Sequence, residues 1–214
     1  RIINRIQNFI HVKKFHIDPQ YNLLGKFLIS LPSEFEQSGT TIHKGRNELK
    51  KYQVDKLNLI VKSYKRPLFI NRIIYGWFRK SKAERAYLNA KTLLDNHIGT
   101  PPPVGYMTVG KNFLFDKSFF VSVESTCPYI YNDLNKQHFT RRNEILEAIA
   151  HTTAALHEKG FLHKDYSGGN ILFDDSNEKI HVEIIDLNRM HFSKIDVKTG
   201  CKNFERLTAS EEML

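Results

Sequence analysis

Residues 160–173 read GFLHKDYSGGNILF, and within them His163, Asp165 and Asn170 stand in the spacing H-x-D-x-x-x-x-N, with Ser167, Gly168 and Gly169 between the Asp and the Asn. A plain surface loop needs no such order. Phosphoryl transfer needs a carboxylate to orient an attacking hydroxyl and take its proton, and oxygen ligands for Mg2+. Asp165 is the candidate base. Asn170 is a candidate metal ligand whose amide oxygen adds no second negative charge. Asp186 ends the apolar run HVEII and is expected to face the loop, so that Asn170 and Asp186 clamp a metal bridging ATP phosphates. His163 is expected to pack and hydrogen-bond the loop backbone rather than shuttle protons. Gly168 and Gly169 are expected to supply backbone angles that let the chain turn tightly past a substrate.

A lysine on a strand should neutralise the α- and β-phosphates, and LNLIVKSY puts Lys62 near the end of an apolar strand. Its helical carboxylate partner is expected to be Glu84, the only acidic residue between Lys80 and Leu94. A G-x-G-x-x-G phosphate loop is missing. Phosphate cover would therefore come from HKGRN, where Gly45 permits close backbone approach and Arg46 reaches a phosphate.

The elements that must position these groups follow from the pattern of apolar residues. Residues 22–34 read as a short helix broken at Pro32. The stretch 35–64 alternates and carries turn signals at Lys44 to Asn47 and at Asp55-Lys56, which predicts three antiparallel strands. From Lys80 the period is helical, with Ala83, Tyr87, Ala90 and Leu94 recurring before GTPPPVG. NFLFD (112–116) and SFFVSVES (118–125) read as two strands paired across an Asp-Lys turn, completing a five-stranded sheet. Residues 141–160 form the clearest helix, with Ile145, Ile149, Thr153 and Leu156 on one face and Gly160 at its end. NILFDD and KIHVEIID then predict a hairpin. The order is a sheet with one helix, a connecting strip, and a helix leading into a loop and hairpin, which is a two-lobed plan with a cleft.

Composition bounds the function. The 214 residues include 41% hydrophobic and 26% charged residues, a globular balance, and a net charge of +9 favours phosphate-bearing partners. No apolar run is long enough to span a bilayer, and residues 1–20 lack a signal-peptide core, so a cytoplasmic protein is expected. Cys127 and Cys201 are too few for a disulfide framework and lack zinc-ligand spacing, so buried or idle thiols are expected. The absence of an initiator Met suggests a piece of a longer protein.

VKSY, HKDYSGGN and IIDLN together resemble the strand lysine, the catalytic loop and the metal-binding D-F-G of the protein-kinase-like fold. The loop has the form H-x-D-x-S-x-x-N, as in RIO-type and small-molecule kinases, and Asp186-Leu187-Asn188 replaces D-F-G. With KGRNELKKY, KSKAERAY and DLNRMHF, the chain is most similar over residues 18–210 to the Kdo/WaaP lipopolysaccharide kinase family, in its Bacteroidetes-type form.

The resemblance implies an α+β protein-kinase-like fold with an N-terminal ATP-binding lobe at 1–125, extended at 1–20, and a short, mostly helical and incomplete catalytic lobe at 126–214. It also implies ATP and Mg2+ as cofactors and lipopolysaccharide core, through a Kdo or heptose hydroxyl, or a related glycan as acceptor. Only 28 residues follow Asp186 and no A-P-E segment appears, which favours a non-peptide acceptor. Residues 64–85 interleave Lys65, Arg66, Arg72, Arg79, Lys80, Lys82 and Arg85 with Phe69, Tyr75, Trp77 and Phe78, a composition suited to peripheral docking on the inner membrane or to a core-facing stripe with a basic face. Nucleic acid is a lesser reading of the same stretch. Competing readings are a RIO-like or aminoglycoside- or choline-type kinase, and a pseudokinase that only binds.

Overall fold

A computed structural model describes residues 12–65, 80–111 and 114–207. The chain divides into two compact units: residues 1–88 with 102–124, and residues 89–101 with 125–214.

The first unit is built on a six-stranded antiparallel sheet in the order β1-β5-β6-β4-β3-β2. Its strands are β1 (Val12–Ile17), β2 (Thr40–Lys44), β3 (Asn47–Val54), β4 (Leu57–Tyr64), β5 (Pro103–Lys111) and β6 (Leu114–Val123). The two tight turns expected at 44–47 and 55–56 join β2, β3 and β4, and Asp55 adopts φ 54°, which an Asp tolerates better than most residues. Helix α1 (Gly25–Glu34) lays Leu28 and Leu31 onto Leu59, Val61, Val104, Met107, Phe119 and Val121 of the sheet, with Phe35 just past its end.

Three expectations are corrected here. Pro32 does not break α1. Its missing N–H removes one bond of the ladder, yet Phe35 still donates to the Leu31 carbonyl at 2.9 Å, and two buried leucines hold the helix on the sheet. Residues 112–116 and 118–125 are not a hairpin: Asp116 and Lys117 lie inside the single strand β6, which pairs with β5 on one side, Val109 opposite Lys117 and Thr108 opposite Ser118, and with β4 on the other. The Pro101–Pro103 run concealed β5, because proline is admitted at the first residue of a strand and Pro103 stands there. The sheet gains its sixth strand from Val12–Ile17, which pairs with β5.

Helix α2 (Lys82–Asp95) carries the boundary between the units. Ser81 caps it, its Oγ accepting the Glu84 N–H at 3.0 Å, and the S-x-x-E spacing is the sequence signature of that cap.

In the second unit, α3 (Arg142–Glu158) buries Ile145, Ile149, Thr153 and Leu156, the face read from the sequence. Gly160 ends it at φ 74°, and a Cβ there would lie 2.6 Å from the Ser193 carbonyl oxygen, so both the angle and the space call for glycine. Two small antiparallel sheets follow. β7 (Tyr129–Ile130), β9 (Ile171–Asp174) and β10 (His181–Ile184) lie in the order β10-β9-β7, and β8 (Phe161–His163) pairs with β11 (Met190–Phe192). The predicted hairpin is β9–β10, with Ile171 opposite Ile184. Short helix α4 (Val197–Asn203) is followed by a 3-10 turn at Phe204–Arg206. The core of this unit gathers Ile145, Ile149 and Leu156 with Phe161, Tyr166, Ile171, Phe173, Val182, Ile184 and Leu187.

Among the described residues no helix is long and apolar enough to cross a membrane. The basic and aromatic stretch singled out from the sequence falls largely at 66–79, outside the described residues.

Candidate active site

The second unit assembles the loop around one buried imidazole. His163 ends β8 and is wholly inaccessible. The Asp165 N–H donates to its Nδ1 at 3.1 Å, so Nδ1 is the acceptor nitrogen and the ring proton sits on Nε2. Nε2 in turn donates to the Ile185 carbonyl at 3.0 Å. One neutral ring thus ties the residue bearing the candidate base to the residue before Asp186. Burial lowers the His163 pKa from its ordinary 6.5, against the opposing pull of the Ile185 carbonyl and the carboxylates of Asp186 and Asp165. This is the backbone-holding part expected of it.

Asn170 closes the other side of the loop. Its Nδ2 donates to the Asp165 carbonyl at 2.9 Å, and its own carbonyl accepts the Ile185 N–H at 3.0 Å. Asp165, Asn170 and the chain entering Asp186 are therefore brought together by hydrogen bonds within this unit. Asp186 adopts φ 59° and ψ 46°, a left-handed conformation that costs a non-glycine residue about 1 kcal/mol or more. The amide of Asn188 donates to its Oδ1, and Asn89 donates to the Leu187 carbonyl at 2.6 Å, which fixes the turn that follows.

The glycines act differently from expectation. Neither Gly168 nor Gly169 has positive φ. Gly168 is required for room, since a Cβ would fall 2.0 Å from Asn132 Oδ1 and 2.7 Å from the Tyr131 ring, whereas a Cβ on Gly169 would meet nothing within 4 Å. Tyr166 supplies a second anchor. It is fully buried, burial pushes its hydroxyl up to about 12, and it pairs with Thr153 on α3. Because Thr153 Oγ1 donates to the Ile149 carbonyl at 2.7 Å, the phenol is the donor in that pair.

Two arginines that the sequence did not single out reach the Asp165 carboxylate. Arg189 Nη1 lies 2.9 and 3.0 Å from its two oxygens, and Arg206 Nη1 lies 3.0 Å from Oδ1. Arg189 owes its place to the β8–β11 ladder, where Met190 stands opposite His163 and Lys164 N–H donates to the Arg189 carbonyl at 3.1 Å. The one available signal was its position three residues after Asp186.

The first unit holds the remaining candidates. Lys62 lies on β4 between Leu49 and Phe120 of the neighbouring strands, half-buried, with Nζ 5.4 Å from the centre of the Tyr64 ring. Glu84, buried in the first turn of α2, accepts from Lys14 Nζ at 2.9 and 3.2 Å. Lys14 on β1 is a partner no motif suggested. Gly45 and Arg46 form the β2–β3 turn, with Arg46 exposed, and a Cβ on Gly45 would lie 2.8 Å from the His43 ring.

The donor set suits a hard cation. The amide nitrogen of Asn170 is committed to Asp165, which leaves its oxygen as acceptor, and Asp186 adds a carboxylate with several lone-pair positions. Both are oxygen ligands of the kind Mg2+ takes.

Comparison with solved structures identifies the fold. The chain is similar to WaaP in complex with acyl carrier protein, with a TM-score of 0.62 and 16% identity over 89% of this chain and 77% of that one. It is also similar to the Rio2 kinase of Chaetomium thermophilum in its ADP/Mg2+-phosphoaspartate complex, with a TM-score of 0.55 and 14% identity over 95% of this chain and 68% of that one. The fold is thus protein-kinase-like. The family model described as lipopolysaccharide kinase (Kdo/WaaP) matches residues 43–213, and the chain belongs to that family. By family it is a kinase, a class that uses ATP and typically a divalent metal. Curated proteins yield no match.

Proposed function

We propose that the protein transfers the γ-phosphoryl group of ATP to a sugar hydroxyl of lipopolysaccharide core, of Kdo or heptose type, or of a related glycan. The observation that carries this reading is the His163 bridge, which holds Asp165 and the chain entering Asp186 in one hydrogen-bonded frame. Family membership supplies the acceptor class.

Asp165 accepts the proton of the attacking hydroxyl, while Arg189 and Arg206 fix its rotamer. Asn170 and Asp186 hold Mg2+ through oxygen atoms. Bound metal supplies neutralisation of charge on the transferring phosphoryl group. Lys62 binds nucleotide phosphates, with the Glu84 carboxylate as the partner that holds it, and the Gly45–Arg46 turn covers them. The net charge of +9 supports peripheral binding to the anionic cytoplasmic face of the inner membrane, where such an acceptor is met.

The test is ADP release from Mg-ATP with and without purified lipopolysaccharide core, in wild type and Asp165→Asn. Core-dependent release that falls by about a thousandfold in the variant, with ATP binding retained, is the expected result. Release that is indifferent to every core acceptor overturns the substrate, and unchanged turnover in Asp165→Asn overturns the assignment of the base.

A further inference from the structure

Three side chains that the proposed Mg2+ site does not use converge in the second unit. His181 and Glu183 stand two residues apart on β10 and so project from one face of it, and Cys127 reaches them from the stretch before β7. Their ligand atoms, the thiol sulfur, an imidazole nitrogen and a carboxylate oxygen, all lie within 4.8 Å of one another. Sequence spacing conceals the group, because Cys127 is separated from the other two by more than fifty positions.

We propose that Cys127, His181 and Glu183 bind a borderline-soft divalent cation, Zn2+ in the first instance, at a structural site that pins the 125–127 stretch to β10. The geometry is close to what the ion requires. His181 Nε2 lies 3.3 Å from Glu183 Oε1, and a tetrahedral site with arms of about 2.0 Å has an N-to-O edge of about 3.3 Å. With a zinc–sulfur arm of about 2.3 Å, the edges to sulfur are about 3.6 Å, so the thiol has little more than about 1 Å to move. Thiolate, imidazole and carboxylate together select zinc-like ions over Mg2+.

Burial also favours the site. Cys127 and Glu183 are buried, while the His181 side chain is 52% exposed, which admits the ion and a water as fourth ligand. The frame is held from outside: Ser125 Oγ donates to Glu183 Oε2 and accepts the Cys127 N–H at 3.0 Å. Burial, opposed by the Ser125 hydrogen bond and aided by the charges of Glu183 and Asp174, pushes the thiol up to about 11. That proton must leave when a metal binds, and a coordinating cation drives it off.

The experiment titrates Co2+, as a spectroscopic substitute for Zn2+, into the Cys201→Ser protein with Mg2+ in excess. That background removes the exposed second thiol. The expected result is a near-ultraviolet thiolate-to-cobalt charge-transfer band that saturates at one equivalent and is bleached by Zn2+. It disappears in Cys127→Ser. In His181→Ala, whose side chain is half-exposed and leaves the core intact, the midpoint moves to at least about tenfold higher Co2+. Absence of the band in the parent protein, its survival in Cys127→Ser, or its loss to Mg2+ alone overturns the proposal.

Discussion

Arg189 Nη1 lies 2.9 Å from one carboxylate oxygen of Asp165 and 3.0 Å from the other. A single guanidinium nitrogen therefore engages both oxygens of the candidate base, and Arg206 adds a second contact to Oδ1 at 3.0 Å. Both arginines are more than half exposed, at 54% and 60% of the side chain, so the pairs stabilise the fold by about 1 kcal/mol at most.

Replacing Arg189 should then separate positioning from stability. Arg189→Gln is expected to lower kcat about tenfold through loss of alignment, with the KM for ATP unchanged and Tm within about 3 °C of wild type. Steady-state kinetics beside thermal unfolding measure both. A large fall in Tm with kcat unaltered would show a structural role instead.

His163 makes stability depend on pH in a defined direction. Its pKa is lowered in the folded protein, so the unfolded chain binds the proton more tightly and stability rises with pH across that interval. The contribution is complete above 6.5, the ordinary value, and is lost as pH falls from there toward the lowered folded value. Tm measured between those limits should decline in wild type, and the decline should be shallower in His163→Gln. Proton NMR should find the imidazole still neutral just below 6.5.

The Tyr166–Thr153 pair should behave as a coupled unit. Thr153→Val leaves a buried phenol without its acceptor, at a cost of about 1–3 kcal/mol, or several degrees of Tm. Tyr166→Phe should cost about 1 kcal/mol. The double variant should lie nearer wild type than the sum of the singles, as a double-mutant cycle in denaturant would reveal.

Asp186 offers a test of the metal site. Asn tolerates the left-handed conformation at φ 59° as well as Asp does, so Asp186→Asn should keep the fold while weakening Mg-ATP binding tenfold or more. Calorimetric titration with Mg-ATP, set beside Tm, reads both. Undiminished Mg-ATP affinity would remove Asp186 from the ligand set.

Local chemistry made much of this protein legible from the chain alone. The helix at 141–160 declared its buried face because apolar residues at helical spacing have one way to leave water, and its stop at Gly160 is local backbone chemistry. The residue types and spacing of Asp165, Asn170 and Asp186 made them candidates for phosphoryl transfer, and the family that the motifs resembled is the one to which the chain belongs. Tertiary structure alone decided the rest. β5 was hidden because its pairing with β1 and β6 outweighs the proline run at its start, and α1 survives Pro32 because burial of Leu28 and Leu31 outweighs one missing hydrogen bond. Lys14, Arg189 and Arg206 reach their carboxylates across 70, 24 and 41 positions of sequence, and Cys127 meets His181 and Glu183 across a similar span. A charged side chain carries no local signal of the partner it will find, because that partner is chosen by the packing of distant elements and not by its neighbours in the chain.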